Sequence, residues 1–271
     1  MLIQITNKCF EDCAHCMQCS NPDGKHMSLQ TFKAALRFAD FLKSQTLIIS
    51  GGEPTEHPEF EEICNIANRF CLSKNTSPQV FSVCSNGMWF KDSDKQEMVY
   101  RLSRLKAYAG MQVYTNAKWY KNSAYILKNE KEINAIPKVV VDTTDIQSMQ
   151  DLGRAKTNVL AQMEIDRNSY NMSCLNGHLV FKQLNPNRRL MDIPIGRMFC
   201  KPLVDFNGDV HLSESWLCPS FGNVNTDSMF EIFKSLQEST PCGKCKLFGK
   251  FMSRAESDFQ LKKAKEIIYS K

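Results

Sequence analysis

Apolar residues fall into short β-branched runs separated by longer stretches with helical spacing. Leu2–Thr6 alternates as a first strand. Ser28 is placed to cap a helix, and Leu29, Phe32, Leu36, Ala39 and Leu42 follow on one face. Thr46–Ser50 is short, apolar and β-branched, the pattern of a buried parallel strand. The unit then repeats. Phe60, Ile63, Cys64, Ala67 and Cys71 mark a second helix face, and Gln79–Cys84 reads as a third strand ending in the turn Ser85-Asn86-Gly87. Met98, Leu102 and Leu105 predict a third helix, Gly110–Tyr114 a fourth strand and Lys138–Asp142 a fifth, with Val159–Gln162 a weakly marked sixth. Strands alternating with helices predict a parallel sheet wrapped by helices. The pattern alone does not separate an open barrel from a flat doubly wound sheet.

Beyond Met163 the pattern changes. Asp166–Cys174 is polar and aperiodic, Gly177–Leu184 reads as a strand, and Asn185-Pro186-Asn187 reads as a turn. Met198–Asp209 and Val210–Leu212 predict a hairpin around Asn207-Gly208. Asp227 or Ser228 opens a helix with Glu231 in reach for a capping box. Ser253–Ser270 is a terminal helix carrying Leu261, Ala264, Ile267 and Ile268. The expected division is a barrel over 1–165, a connecting segment over 166–195, a small hairpin-and-helix unit over 196–250 and a helix over 251–271. No low-complexity linker separates them, so the second unit is expected to pack directly on the first.

Composition narrows the setting. The 271 residues are enough for a sizeable core. A net charge of +5 permits an anionic partner without demanding nucleic acid. No apolar run approaches the roughly 18 residues of a membrane span. The N-terminal residues lack the pattern of a signal peptide. A cytoplasmic location is therefore expected, where thiols stay reduced and clustered cysteines bind metal more often than they pair.

That matters because the chain has 12 cysteines, and three stand together in Cys9-Phe10-Glu11-Asp12-Cys13-Ala14-His15-Cys16. Three thiolates are one fewer than a 4Fe–4S cluster usually takes, which leaves one iron open to a small molecule. Downstream, at the end of the second strand, stands Gly51-Gly52-Glu53-Pro54-Thr55. C-x-x-x-C-x-x-C followed by G-G-E-P resembles the radical SAM superfamily. The resemblance implies an open barrel of about six βα units, a partial (βα)6 barrel of the α/β class. It implies that Cys9, Cys13 and Cys16 hold the cluster, that the open iron chelates S-adenosyl-L-methionine, and that Gly51, Gly52, Glu53 and Pro54 contact its amino group. His15, before the third cysteine, packs over adenine or faces solvent. Asn86 is a cofactor or substrate contact, and Gln112 and Tyr114 are ribose candidates. A structural zinc at the three cysteines is the plain alternative, and Cys19 is a nearby thiol that would close the cluster if it ligated.

Cys200, Cys218, Cys242 and Cys245 form a second constellation, the last two as C-G-K-C. Four thiolates fill every site of a cluster or hold one zinc. A hairpin flanked by cysteines, then a helix, then C-x-x-C resembles the twitch extension of some radical SAM enzymes, a shortened relative of SPASM. It implies an auxiliary second 4Fe–4S cluster. Cys64 and Cys71 read as core, Cys84 as packed at a strand end, and Cys174 as structural. His57 reads as a helix-start residue, and the Arg188-Arg189 pair as solvated or anion-binding.

The implied reaction is reductive cleavage of S-adenosylmethionine to a 5′-deoxyadenosyl radical that takes hydrogen from a substrate. An auxiliary cluster favours net oxidation: dehydrogenation, or cross-linking of a peptide. The substrate is a small molecule or a peptide, although the absence of a leader-binding segment before Cys9 counts against the latter. A reducing partner such as flavodoxin or ferredoxin is implied. Two rivals stay open, an activase for a glycyl-radical enzyme and a non-catalytic zinc-binding protein.

Overall fold

The computed structural model describes residues 1–42, 44, 46–144, 153–159, 203–211 and 220–238. Five parallel strands run in chain order across one sheet: β1 (Leu2–Gln4), β2 (Thr46–Ser50), β3 (Val80–Ser85), β4 (Tyr108–Tyr114) and β5 (Val139–Asp142). Between them lie α1 (Leu29–Phe41), α2 (Phe60–Cys71), α3 (Ser93–Leu102), α4 (Ser123–Lys128) and α5 (Glu130–Asn134). Two short strands extend the sheet beyond β1. β6 (Leu203–Val204) pairs with β1 in parallel, and β7 (Val210–His211) pairs with β6 antiparallel. The order is β5-β4-β3-β2-β1-β6-β7, and a last helix, α6 (Met229–Glu238), follows.

The register explains the layering. Val204, Ile3, Ile49, Val83, Met111 and Val139 are paired neighbour to neighbour across six strands. All six are buried in the core with the helices. Because side chains alternate along a strand, the adjacent positions lie on the opposite face. There Gln4 pairs with Ser50, Cys84 with Gln112, and Tyr114 with Asp142. One face is thus an apolar floor for the helices, and the other is mixed, with these polar residues toward the carboxyl ends of the strands and Leu2, Ile48 and Leu203 toward the amino ends, as the lumen of an open barrel allows. A parallel sheet covered by helices on both faces would be apolar on both.

The helices form where the pattern predicts them. Ser28 caps α1, its Oγ accepting from the Thr31 N–H at 3.1 Å. Ser228 and Glu231 make the capping box of α6: the Ser228 N–H donates to Glu231 Oε2 at 2.9 Å and the Glu231 N–H donates to Ser228 Oγ at 3.2 Å. Phe41 at the end of α1 meets Phe230 and Phe233 of α6 edge to face, at 5.4 and 5.9 Å. Cys64 and Cys71 are core residues.

Three features differ from the pattern. The Asn207-Gly208 hairpin is present over the described residues 203–211, and it extends the barrel sheet alongside β1. Asp205 shapes its turn, with Oδ1 accepting from the N–H groups of Asn207 and Asp209. α4 and α5 were not expected, since six and five residues are too short to show a period. Of the sixth strand expected at Val159–Gln162, only Val159 is described, and it is helical. The stretches Asp166–Cys174, Gly177–Leu184 and Ser253–Ser270 lie outside the described residues. Among the described residues no helix is long and apolar enough to cross a membrane.

Candidate active site

The cysteine loop leaves β1 at the carboxyl end of the sheet, the end where open α/β sheets take their ligands. Its outgoing and returning limbs are tied together: the Cys9 N–H donates to the Asn21 carbonyl at 3.0 Å, and the Asn21 N–H donates back to Asn7 at 3.2 Å. The Gly51–Glu53 turn at the end of β2 lies against the outgoing limb. The Gly52 N–H donates to the Thr6 carbonyl and the Glu53 N–H to the Lys8 carbonyl, both at 2.8 Å. Only glycine permits this approach. A Cβ on Gly51 would lie 2.5 Å from the Thr6 oxygen, and one on Gly52 would lie 2.3 Å from the Lys8 oxygen.

Cys9, Cys13, Cys16, Gly51, Gly52 and Asn86 line one recess. The two sequence motifs and the end of β3 therefore meet as the spacing predicts. Glu11, His15, Gln18, Tyr120 and Arg154 complete the wall. Cys19 is exposed and is not among the lining residues.

Glu53 has a different place from the one expected for a residue facing a cofactor. It is 1% exposed and does not line the recess. Its carboxylate accepts from Thr55 Oγ1 at 2.7 Å, the Thr55 N–H at 3.2 Å, Ser85 Oγ at 2.9 Å and the Asn86 N–H at 2.7 Å. Burial pushes its pKa up, and these donors pull the other way. Pro54 is buried in the 3₁₀ turn Pro54–Glu56, for which the Glu53 side chain is the cap. Glu53 thus joins the ends of β2 and β3 from within. Gln112 is exposed on β4 and outside the recess wall; its Nε2 donates to Asp142 at 2.6 Å and its Oε1 accepts from the Tyr114 hydroxyl at 2.7 Å.

His15 stacks tilted on Tyr120, with centroids 4.7 Å apart, and meets Trp119 edge-on at 6.0 Å. Burial pulls its pKa down to about 4, so the ring is neutral near pH 7. Its Nδ1 is buried with no hydrogen-bond partner. His57 lies outside the recess. The Glu59 N–H donates to its Nδ1 at 3.0 Å, so Nε2 carries the proton and donates to the Met27 carbonyl at 2.8 Å. That is the helix-start role expected of it.

Two residues in the wall were not anticipated. Arg154 arrives after β5, in the 3₁₀ turn Gly153–Lys156. Its N–H donates to the Cys16 carbonyl at 2.9 Å, Nε to the Cys13 carbonyl at 3.0 Å and Nη1 to the Ser20 carbonyl at 2.7 Å. Asp12 is 3.4 Å from Nε. Glu11 is 3% exposed and is held by two donors from Asn122, its backbone N–H at 3.1 Å and its side-chain amide. Glu11 occupies a variable position of the cysteine motif, and Arg154 belongs to no short motif. The only sequence signal was their type: a carboxylate inside the cysteine loop, and an arginine just after a glycine.

The donor set suits an iron–sulfur cubane. Burial pushes the Cys9 thiol up to about 12 and the Cys13 thiol up to about 11. Without iron they keep their protons, so loading exchanges protons for metal. Asn86 Nδ2 donates to Cys9 Sγ at 3.6 Å, a donor suited to a ligating sulfur. Among the described residues no group of three or more His, Cys, Asp or Glu side chains could hold a single metal ion. A cubane sets a different condition, since it offers each thiolate a separate iron corner. Cys200, Cys218, Cys242 and Cys245, expected to hold a second cluster, lie outside the described residues.

Residues 3–116, which carry both motifs and four of the strands, match the Radical SAM superfamily. This part of the chain is similar to a radical SAM domain. A solved structure shares the fold. SuiB of Streptococcus suis, bound to precursor peptide SuiA, aligns at 12% identity with a TM-score of 0.54, over 93% of this chain and 67% of that one. Native anSMEcpe with bound AdoMet aligns at 14% identity with a TM-score of 0.45, over 99% of this chain and 96% of that one. The chain spans 64 to 67% of the length of the SuiB chains. No curated protein sequence matches it. The matched segment contains the three cysteines and the glycine turn that line the recess at the carboxyl ends of β1 to β3.

Proposed function

We propose that the chain is a radical SAM enzyme that cleaves S-adenosylmethionine reductively and removes a hydrogen from its substrate, with net oxidation of that substrate. The observation that carries this reading is the single recess shared by Cys9, Cys13, Cys16, Gly51, Gly52 and Asn86. When bound, the cluster and S-adenosylmethionine supply an electron and a carbon-centred radical able to take hydrogen from unactivated carbon. The chain's own residues do the rest. The three thiols offer the ligands, and burial of Cys9 and Cys13 limits the access of water to them. Gly51 and Gly52 bring the backbone of the β2 turn against the loop, and Asn86 reaches the Cys9 sulfur. Tyr120, Trp119 and neutral His15 form an aromatic side to the site. On the lumen side a hydrogen-bonded chain runs from the Tyr114 hydroxyl through Gln112 to the accepting Asp142 carboxylate, a polar row suited to a ribose or substrate hydroxyl.

A peptide is the favoured substrate class. SuiB, which has the same fold, is bound to a precursor peptide. Cys200, Cys218, Cys242 and Cys245 are assigned to an auxiliary 4Fe–4S cluster that accepts the electron released when the substrate is oxidised. A flavodoxin or ferredoxin in a reducing, cytoplasmic setting would supply the first electron.

The test is anaerobic reconstitution with iron, sulfide, reductant and S-adenosylmethionine, with 5′-deoxyadenosine read by chromatography. Cys9→Ala, Cys13→Ala and Cys16→Ala are each expected to abolish it; cofactor cleavage that survives them refutes the assignment. Iron should reach about eight per chain, falling to about four when Cys242 and Cys245 are both replaced by Ala. About four in the wild type would leave an activase-like enzyme with one cluster, and zinc in place of iron would leave a structural protein.

A further inference from the structure

We propose that Asn86 sets the reduction potential of the cluster held by Cys9, Cys13 and Cys16, by donating a hydrogen bond to the Cys9 sulfur. The inference deepens the radical SAM reading and rests on it.

The Asn86 side chain has one orientation available. The Met88 N–H can only donate, and it lies 2.9 Å from Asn86 Oδ1. The oxygen of the amide is therefore taken, and the NH₂ end is the one that reaches Cys9 Sγ at 3.6 Å. The backbone of Asn86 is fixed as firmly, since its N–H donates to Glu53 Oε2 at 2.7 Å. The same carboxylate accepts from Ser85 Oγ, and Ser85 Oγ in turn accepts from the Gly87 N–H at 3.0 Å. A continuous thread results. It runs from the buried carboxylate of the glycine-rich motif, through the end of β3 and the Asn86 amide, to the first cysteine of the cluster motif.

An electron entering an iron–sulfur cluster spreads negative charge onto the sulfurs. A donor held against one sulfur stabilises the reduced form more than the oxidised one, and so raises the potential. Asn86 therefore makes the cluster easier to reduce. A residue that only shaped the turn would act through Met88 and leave the potential alone.

Asn86→Asp separates the two roles. It keeps an oxygen for the Met88 N–H and replaces the donor on Cys9 with a negative charge. The experiment is a redox titration of the reconstituted full chain, without S-adenosylmethionine, followed by electron paramagnetic resonance with iron counted per chain. The expected result is wild-type iron at the N-terminal site and a midpoint clearly more negative than that of the wild type. An unchanged midpoint with a full cluster overturns the proposal. Asn86→Ala, which removes the donor without adding a charge, is titrated beside it with a smaller negative shift expected, and an unchanged midpoint in a loaded Asn86→Ala also overturns the proposal. If neither variant loads, Asn86 serves only to build the site and the proposal falls. Absence of any cluster in the wild type would instead refute the radical SAM reading itself.

Discussion

The cysteine loop is gripped from two sides, and the two grips are opposite in kind. On one side is Glu53, a carboxylate 1% exposed and saturated by donors from the ends of β2 and β3. On the other is Arg154, a guanidinium whose side chain is 24% exposed and which donates to the carbonyls of Cys13 and Ser20. Glu53 never touches the loop's sulfurs; it sets the turn and the strand end against which the loop rests. Arg154 touches the loop directly and holds only its backbone. The buried grip is built from neighbouring strands and fixes where the site lies. The exposed grip comes from across the barrel and fixes the shape of the loop once it is there. Damage to the first should cost stability, and damage to the second should cost loading.

The strongest test of that division is Gly52→Ala. The new Cβ would meet the Lys8 oxygen at 2.3 Å and the Lys8 carbonyl carbon at 2.8 Å, both backbone atoms with no rotamer to give. The turn must move away, and the two hydrogen bonds to Thr6 and Lys8 go with it. A loss of about 3 kcal/mol in urea unfolding of the iron-free chain is expected, from overpacking plus two backbone bonds. Wild-type stability would mean that the motifs do not lean on each other as described.

Glu53→Gln comes next. The amide keeps the size of the side chain and turns an NH₂ group toward groups that are themselves donors. At least one of Thr55, Ser85 and Asn86 loses its acceptor in a buried place. The cost should be about 2 kcal/mol by the same measurement. A neutral result would remove the buried grip from the comparison.

The legible part of the molecule follows the same line. The β1–β5 alternation and the Ser28 and Ser228 caps could be read because each rests on residues close in sequence, and the meeting of Cys9–Cys16 with Gly51–Gly52 because each motif directly follows a strand of the alternating pattern. The inward turn of Glu53 could not. Its partners Ser85 and Asn86 are brought to it by strand pairing, which a motif does not encode. Arg154 was the least legible. It meets Cys13, 141 positions away, and it follows Gly153, where a Cβ would lie 2.5 Å from the Cys16 oxygen. The hairpin was read as a hairpin, but its sequence gave no sign that it would extend the barrel sheet beside β1.

Arg154→Met keeps much of the stem and removes the charge and its donors. The backbone bond from residue 154 to the Cys16 carbonyl survives. Because the side chain is partly exposed, the lost stability should be under about 1 kcal/mol. Cluster incorporation should slow several-fold, followed by absorbance during reconstitution. A large stability loss with normal incorporation would reverse the roles assigned to the two grips.

The smallest effect concerns acid, and it falls on the buried side alone. His57 follows the Gly51–Glu53 turn and pins the returning limb of the loop through the Met27 carbonyl. Burial lowers its pKa, although the Met27 backbone and Glu59 oppose this. A base whose folded pKa is depressed takes up a proton more readily when unfolded. Its stabilising contribution is complete above the unfolded value of about 6.5 and drains away as pH falls toward the lower folded value. Protonation at Nδ1 would also expel the Glu59 N–H that donates to it. The stability of the iron-free chain is therefore expected to decline less between pH 6.5 and about 5 in His57→Gln than in the wild type. The variant is the proper reference because Glu53, its pKa pushed up by burial, works in the opposite sense. Arg154 does not titrate there, so Arg154→Met should leave the slope as it is. An equal slope in the wild type and His57→Gln would show that acid does not act through the buried grip.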